Sequence, residues 1–290
     1  MTAARRAAWT GAVLGILCLV PQTVAAQGKG RPKGPSVQQQ QTTTPAPGTP
    51  APVSSFRQFG LWLDDASAPT HGEGRTGIGI GYYRLDGASH LNVPSLDFGY
   101  GLTNRWQVSA SVPFYRSSYA GTTSRGLDDT YFSAKWTVID PEETVSQFGL
   151  AVSPVVEVLS AGAPDGRVHF AFPVSVELRR QPYRVYGSAG YFTRGSLFTA
   201  VAIERGLQSG LVITGALTHS YSTKDDALLD ATGVGRRRMD LTGAAAYPVF
   251  GSAAAYVSVG RTLTRIDEGG TTLSLSGGLS FRFHAPGATP

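Results

Sequence analysis

Apolar and polar side chains alternate along most of the chain between residues 77 and 283. In the stretch 105–115, every second residue from Trp106 to Phe114 is apolar, and the residues between them are mostly polar. Successive side chains of a β-strand point to opposite sides, so this period of two is typical of strands whose faces meet different surroundings. The sequence therefore predicts an all-β protein.

Twelve such runs can be counted, and each is close to the roughly 9 to 11 residues that a tilted strand needs to cross a bilayer. They lie near residues 76–85, 91–101, 105–115, 128–138, 147–158, 167–178, 183–193, 196–204, 210–221, 238–247, 252–263 and 272–283. Short links such as 102–104 alternate with longer polar links such as 117–127, 160–166 and 223–237. We expect a single closed antiparallel transmembrane β-barrel of about twelve strands over residues 56–284, with residues 285–290 as a C-terminal tail.

Alternation alone fits a soluble all-β protein as well, with the apolar faces turned into a core. Mid-strand charges on the polar faces, at Asp97, Lys135, Glu157 and Glu177, favour a wet lumen instead. Aromatic residues lie near the predicted strand ends, as at a membrane interface. The final run, 272–283, ends in alternating apolar residues and resembles the signal read by the barrel-assembly machinery. In hydrocarbon an open sheet edge has no water to bond, so we expect the sheet to close.

The N-terminus predicts export. Arg5 and Arg6 precede the apolar run 9–20, and small residues end at Ala26, so residues 1–26 are expected to be a signal peptide. Residues 27–55 are rich in Pro, Gln and Thr and predict a disordered periplasmic tail. We expect the mature protein in the bacterial outer membrane and free of cysteine, because the only cysteine is Cys18.

Charge and motif content exclude several functions. The net charge of +5 resides in the first 33 residues, so no nucleic-acid surface is expected. The five histidines include no His-x-Ser pair, the spacing that places a nucleophile and its base on one strand face, and no His and carboxylate cluster predicts a metal. We expect no enzyme and no cofactor. Arg236–Arg238 either binds lipopolysaccharide phosphates or is a solvated loop cluster.

The predicted lumen holds the candidate functional residues. Both signs of charge are interspersed there, which suits polar or amphipathic solutes, although the same charges could pair across a filled interior. Residues 56–63 are left over and are expected to form a short strand or to tuck against the barrel floor or into the lumen, where Gly77, Gly79 and Gly81 leave space. The pore-lining candidates are Arg105, Asp129, Tyr131, Lys135, Glu157, Arg167, His169, Glu177, Arg184, Glu204 and Arg282.

Two segments resemble a known family. Residues 94–115 contain Gly101-Leu102-Thr103-Asn104-Arg105 followed by Pro113-Phe114, and residues 126–138 contain Asp129 and Lys135 in a Gly-Leu-Asp-Asp context. Both resemble the outer-membrane β-barrel transporters grouped with phenol-degradation (MetA-pathway) operons, although Asp128 stands where that family has a glycine. The resemblance implies a barrel that passes hydrophobic or aromatic compounds.

We therefore expect a channel or transporter for passive passage of small, hydrophobic or aromatic solutes. The alternative is a non-conducting structural or surface-interaction barrel whose outer loops carry the function. The expected partners are outer-membrane lipid and lipopolysaccharide, the barrel-assembly machinery and small solutes.

Overall fold

A computed structural model of the chain describes residues 63–85, 87–119, 121–163, 166–223, 237–264 and 270–285. These residues form one antiparallel sheet of fifteen strand segments. The segments are β1 (Glu73–Leu85), β2 (Ala88–Gly101), β3 (Trp106–Tyr119), β4 (Thr122–Leu127), β5 (Thr130–Ile139), β6 (Phe148–Val152), β7 (Val155–Ala163), β8 (Gly166–Ala171), β9 (Val174–Arg180), β10 (Tyr183–Phe192), β11 (Ser196–Gly206), β12 (Val212–Ser222), β13 (Arg237–Phe250), β14 (Ala253–Thr262) and β15 (Thr271–His284).

The segments build a closed barrel of twelve strands, because β4 with β5, β6 with β7 and β8 with β9 each make one interrupted strand. The sheet closes where β1 pairs with β15, from Glu73 opposite His284 to Leu85 opposite Thr271. The predicted all-β class, the closure and the twelve strands are confirmed. The signal peptide, the tail 27–55 and nearly all of 56–63 lie outside the described residues.

No helix among the described residues is long and apolar enough to cross a membrane.

The barrel is apolar outside and polar inside. Along β9, Val176 is 42% exposed, whereas the next residue, Glu177, is 1% exposed. Phe132 and Lys135 on β5 show the same contrast, with the ring outside and the ammonium buried. Trp106 and Trp136 stack at 5.9 Å on the outer surface, as expected of an interfacial aromatic belt. The orientation expected for a membrane barrel is thus confirmed, and the alternative with the apolar faces turned into a core is wrong.

Both ends of the barrel sheet lie at one rim, which we call the terminal rim; the opposite one is the loop rim. The expectation of long loops at 117–127 and 160–166 is wrong. There β3 runs on to Tyr119 and β4 begins at Thr122, while β7 and β8 leave only residues 164 and 165 between them. Backbone pairing needs no apolar side chains outside the hydrocarbon, so the hairpins extend through polar sequence.

The wall is interrupted in neighbouring strands. Pro154 and Pro173 separate β6 from β7 and β8 from β9, since proline donates no ladder hydrogen bond. Between β4 and β5 the break falls at Asp128 and Asp129, and the Asp129 Oδ1 accepts a hydrogen bond from the Ser160 backbone N–H at 2.8 Å. Among the described strands, β4 pairs with β3 alone.

Candidate pore and its lumenal segment

Residues 63–72, which we call the lumenal segment, precede β1 and lie inside the barrel at the terminal rim. The Ala66 carbonyl accepts a 2.9 Å hydrogen bond from the inward Thr137 hydroxyl. Gly101 on β2 lets the segment approach closely, because a Cβ there would meet the Thr70 carbonyl oxygen at 2.3 Å. These two contacts pack the segment against β5 and β2.

An inward lysine is the first anchor of this segment. The Lys135 Nζ lies 2.7 Å from Asp64 Oδ1 and 3.1 Å from Asp65 Oδ1, and it donates to the Ser67 carbonyl at 3.1 Å. Lys135 and Asp65 are both buried. A buried ammonium is tolerated only when it is paired and hydrogen-bonded, and here the segment supplies every one of those acceptors.

Glu177 on β9 organises the second anchor. Its Oε1 accepts from Arg184 Nε at 2.7 Å and from Arg179 Nε at 2.6 Å, while Oε2 accepts from the Ser67 hydroxyl at 2.5 Å. Arg184 also donates to Asp65. The network alternates carboxylates and cations across the segment and the wall, so the buried charges compensate one another.

Asp65 is ionised in this setting. Burial opposes the charged form, but the positive charges of Lys135 and Arg184 and their hydrogen bonds hold the pKa of Asp65 well below its usual range. The carboxylate thus keeps its charge at any pH at which the barrel is expected to work.

The start of the segment fills an apolar patch. Leu63 packs with a cluster of inward residues from β10 to β13 that comprises Tyr186, Ala200, Ala202, Val212, Ala216 and Ala246. The glycines Gly77 and Gly79 lie elsewhere on the wall, and the Tyr256 side chain covers Gly79, where a Cβ would meet its hydroxyl at 2.4 Å. The expectation that the leftover residues occupy the glycine space is therefore wrong for Leu63.

One half of the lumen is filled by side chains. The Tyr131 hydroxyl donates to Glu157 Oε1 at 2.9 Å, and Arg194 Nε lies 2.9 Å from Glu157 Oε2. Tyr131 packs in a buried cluster with Val155, Ala171, Phe192 and Phe198. In the described part of the chain, this wall from β5 to β11 is therefore lined by buried, mutually packed side chains.

The other half is lined by small residues. On β14, β15, β1, β2 and β3 many of the inward positions are glycine and serine, and most of these serines remain half-buried. These inward residues include Gly77, Gly79, Ser95, Asp97, Ser109, Ser111, Ser258, Ser274, Ser276 and Ser280. The accessible part of the lumen therefore runs along one side of the barrel.

A polar and aromatic cluster lies toward the loop rim of this accessible half. The His90 Nε2 is 2.6 Å from Asn92 Oδ1 and 3.0 Å from Asp128 Oδ2, and the imidazole stacks on Tyr115 at 5.5 Å. Tyr83 adds a tilted ring at 6.0 Å. Flat rings beside hydrogen-bonding groups suit aromatic solutes with a polar substituent.

The remaining predicted residues have other surroundings. Arg105 lies in the turn before β3 and pairs with Glu143 at 2.6 Å, both side chains being about half exposed (48% and 59%). Arg282 pairs with Glu73 at 3.0 Å at the terminal rim, and Arg167 is exposed at the start of β8. His169 is buried, with Nε2 3.1 Å from the Gly166 carbonyl, and Glu204 lies 3.8 Å from Arg184. Asp129 lies at the break between β4 and β5 and accepts a hydrogen bond from the Ser160 backbone N–H on β7.

Sequence reasoning missed the aspartates of the segment. Asp64 and Asp65 stand just before the first strand, outside any alternating run, so strand periodicity could not assign them to the lumen. The available signal was the set of inward cations Lys135, Arg179 and Arg184 on β5, β9 and β10, for which the same strands supply Glu177 as the inward carboxylate.

The fold is similar to solved outer-membrane porins and channels. The NanC porin aligns over 71% of this chain and 98% of its own at 10% identity, with a TM-score of 0.52. The KdgM porin aligns over 72% and 99% at 12% identity and a TM-score of 0.50. An outer-membrane channel from Pseudomonas putida F1 aligns over 76% and 98% at 11% identity and a TM-score of 0.55. At these identities the likeness shows the fold, an outer-membrane β-barrel of the porin type.

No protein-family model and no curated protein matches this chain. The link to phenol degradation that residues 94–115 and 126–138 suggest stays a prediction. Among the described residues no group of three or more His, Cys, Asp or Glu side chains could hold a metal ion.

Proposed function

We propose that this barrel is an outer-membrane channel through which small hydrophobic or aromatic solutes pass passively. The observation that carries the proposal is the unequal lumen: one wall is packed, while the glycine and serine wall of β14, β15 and β1 to β3 keeps polar side chains accessible. Small residues leave width, and the Tyr83, His90 and Tyr115 rings give aromatic solutes a surface on which to stack.

The lumenal segment narrows this path at the terminal rim. Its ion pairs to Lys135 and Arg184, and the hydrogen bond that the Ser67 hydroxyl accepts from Arg179, hold it against β5, β9 and β10. A narrow, eccentric path favours small solutes over large polymers. Export by residues 1–26 and insertion through the final strand β15 belong to the same proposal.

The second candidate is a non-conducting barrel whose outer hairpins carry the function. The observation that favours it is the same charge network, because a segment anchored by Lys135 and Glu177 can close a lumen altogether. The two candidates share the fold and differ only in flux.

Reconstitution separates them. Purified full-length protein is placed in planar bilayers and in liposomes, and we expect discrete conductance steps and faster liposome swelling with phenol-sized aromatic solutes than with sugars of equal mass. Heat-unfolded protein is the control for leakage through disordered bilayer. Repeated absence of both conductance and swelling would reject the channel and leave the structural barrel.

A further inference from the structure

The outer face of the β3–β4 hairpin carries two arginines that the lumen does not use. Arg116 on β3 lies directly opposite Arg125 on β4, and both side chains are exposed. They share a face with Phe114 and Leu127, which are 41% and 46% exposed on the outer surface. Tyr115, by contrast, points inward onto His90. The arginine pair therefore faces the surrounding bilayer and not the lumen.

Repulsion between the two facing arginines destabilises the hairpin, and the described barrel supplies no contact that offsets it. Residues directly opposite each other on antiparallel strands have Cβ atoms roughly 5 Å apart, and like charges at such positions are destabilising. No carboxylate among the described residues forms an ion pair with Arg116 or Arg125. On the other side, Arg116 is opposite Leu91, an apolar residue. The hairpin thus brings two cations together without a counter-ion among the described residues.

The arginines are the middle level of an ordered ladder on that face. Phe114 opposite Leu127 forms the apolar level, Arg116 opposite Arg125 the cationic level, and Ser118 opposite Thr123 the hydroxyl level nearest the rim. Along this single strand pair, the three levels follow the order of the parts of a phospholipid-like molecule, which are the acyl chain, the anion and the polar headgroup. Arginines scattered over the surface would not be expected to follow this order of levels or to stand directly opposite each other across the strand pair.

We propose that the outer face of the β3–β4 hairpin binds a phosphorylated glycolipid of the surrounding leaflet, of the lipid A type. Guanidinium groups bind phosphate through paired N–H donors, so two facing arginines can enclose one phosphate. An acyl chain then lies on Phe114 and Leu127, and the sugar hydroxyls reach Ser118 and Thr123. The site is independent of whether the lumen conducts.

The test measures lipid binding by the folded full-length protein in detergent. Native mass spectrometry with titrated diphosphoryl lipid A compares the wild type with a double variant, Arg116→Gln with Arg125→Gln. Losing both charge-assisted contacts is expected to weaken binding at least about tenfold. The matched control is Arg205→Gln, because Arg205 is exposed at the terminal rim, where it lies over the Tyr183 ring at 5.4 Å. Its affinity should equal that of the wild type.

Two further arms identify the ligand. Dephosphorylated lipid A should bind the wild type as weakly as the double variant binds the intact lipid, and inorganic phosphate at equal concentration should not compete. Phosphate that binds as tightly as lipid A would overturn the lipid assignment in favour of a simple anion site. Unchanged binding by the double variant, or equal weakening by Arg205→Gln, would reject the site. If the double variant fails to fold, Arg125→Gln alone decides, since β4 pairs on one side only and its loss of affinity should still exceed that of the control.

Discussion

Lys135 is the residue on which the position of the lumenal segment depends most directly, because it touches Asp64, Asp65 and the Ser67 carbonyl at once. Replacing it by alanine leaves two carboxylates without their shared cation. Breaking a buried ion pair costs about 3 to 5 kcal/mol. We expect Lys135→Ala to raise hydrogen exchange in residues 63–72 at least about 100-fold, since each 1.4 kcal/mol is worth about a factor of ten.

The control for this variant is Arg105→Ala. Its ion pair with Glu143 is about half exposed on both sides, and exposed pairs contribute at most about 1 kcal/mol. Exchange in the segment should stay at the wild-type rate. Equal exchange in Lys135→Ala and in the wild type would mean that the network does not hold the segment.

Asp65 gives the same segment a defined response to pH. Burial disfavours its charge, but Lys135 and Arg184 keep its pKa below that of a free aspartate, so the bound state gains stability above about pH 4 and loses it as the pH falls toward the lowered pKa. Exchange in residues 63–72 should therefore be the same at pH 7 and pH 5 after correction for the intrinsic rate. It should accelerate only below about pH 4, and acceleration already at pH 6 would contradict this reasoning.

The segment as an element is fitted to its wall by glycine. A Cβ at Gly101 would lie 2.3 Å from the Thr70 carbonyl oxygen and 2.7 Å from that of Pro69, and backbone cannot swing aside as a side-chain tip can. We expect Gly101→Val to displace the segment and to raise single-channel conductance. Gly243→Val is the matched control, because a Cβ there meets nothing within 4 Å. A conductance gain in both variants, or in neither, would mean that Gly101 does not determine the position of the segment.

The strands could be predicted from the sequence and the segment could not, for one physical reason. A strand between lipid and lumen must alternate apolar and polar side chains. Runs such as 105–115 and 167–178 show this alternation in their own residues. The position of Asp64 and Asp65 is set by charges far along the chain, at Lys135 and Arg184, which no local pattern encodes. The hairpin ends at Tyr119 and Thr122 were missed because strand pairing outside the hydrocarbon leaves no apolar signal in the sequence.

The whole molecule is a barrel with two unlike halves, and closure makes this asymmetry possible. Once β1 pairs with β15, no edge needs protection, and each inward position is free to be large or small. Large residues collect from β5 to β11 and small ones from β14 to β3. Solutes of limited width would then travel against the small-residue wall, past Tyr256 and the ring of His90.

This asymmetry predicts where water and reagents reach the inner wall. The only cysteine of the sequence, Cys18, lies in the expected signal peptide, so in a chain without residues 1–26 single cysteines can be introduced at inward serines and treated with a charged thiol reagent in the folded protein. Ser95→Cys and Ser111→Cys lie on the accessible wall, where the native side chains are half-buried, and should be labelled and lose conductance. Ser175→Cys and Ser188→Cys are the controls on the packed wall, where both native side chains are buried, and they should stay unlabelled until the barrel is unfolded. Mass spectrometry measures labelling directly and does not depend on conductance. The two walls can therefore be compared even if the barrel passes no solute. Equal labelling at all four positions would mean a uniformly wet lumen and would remove the eccentric path.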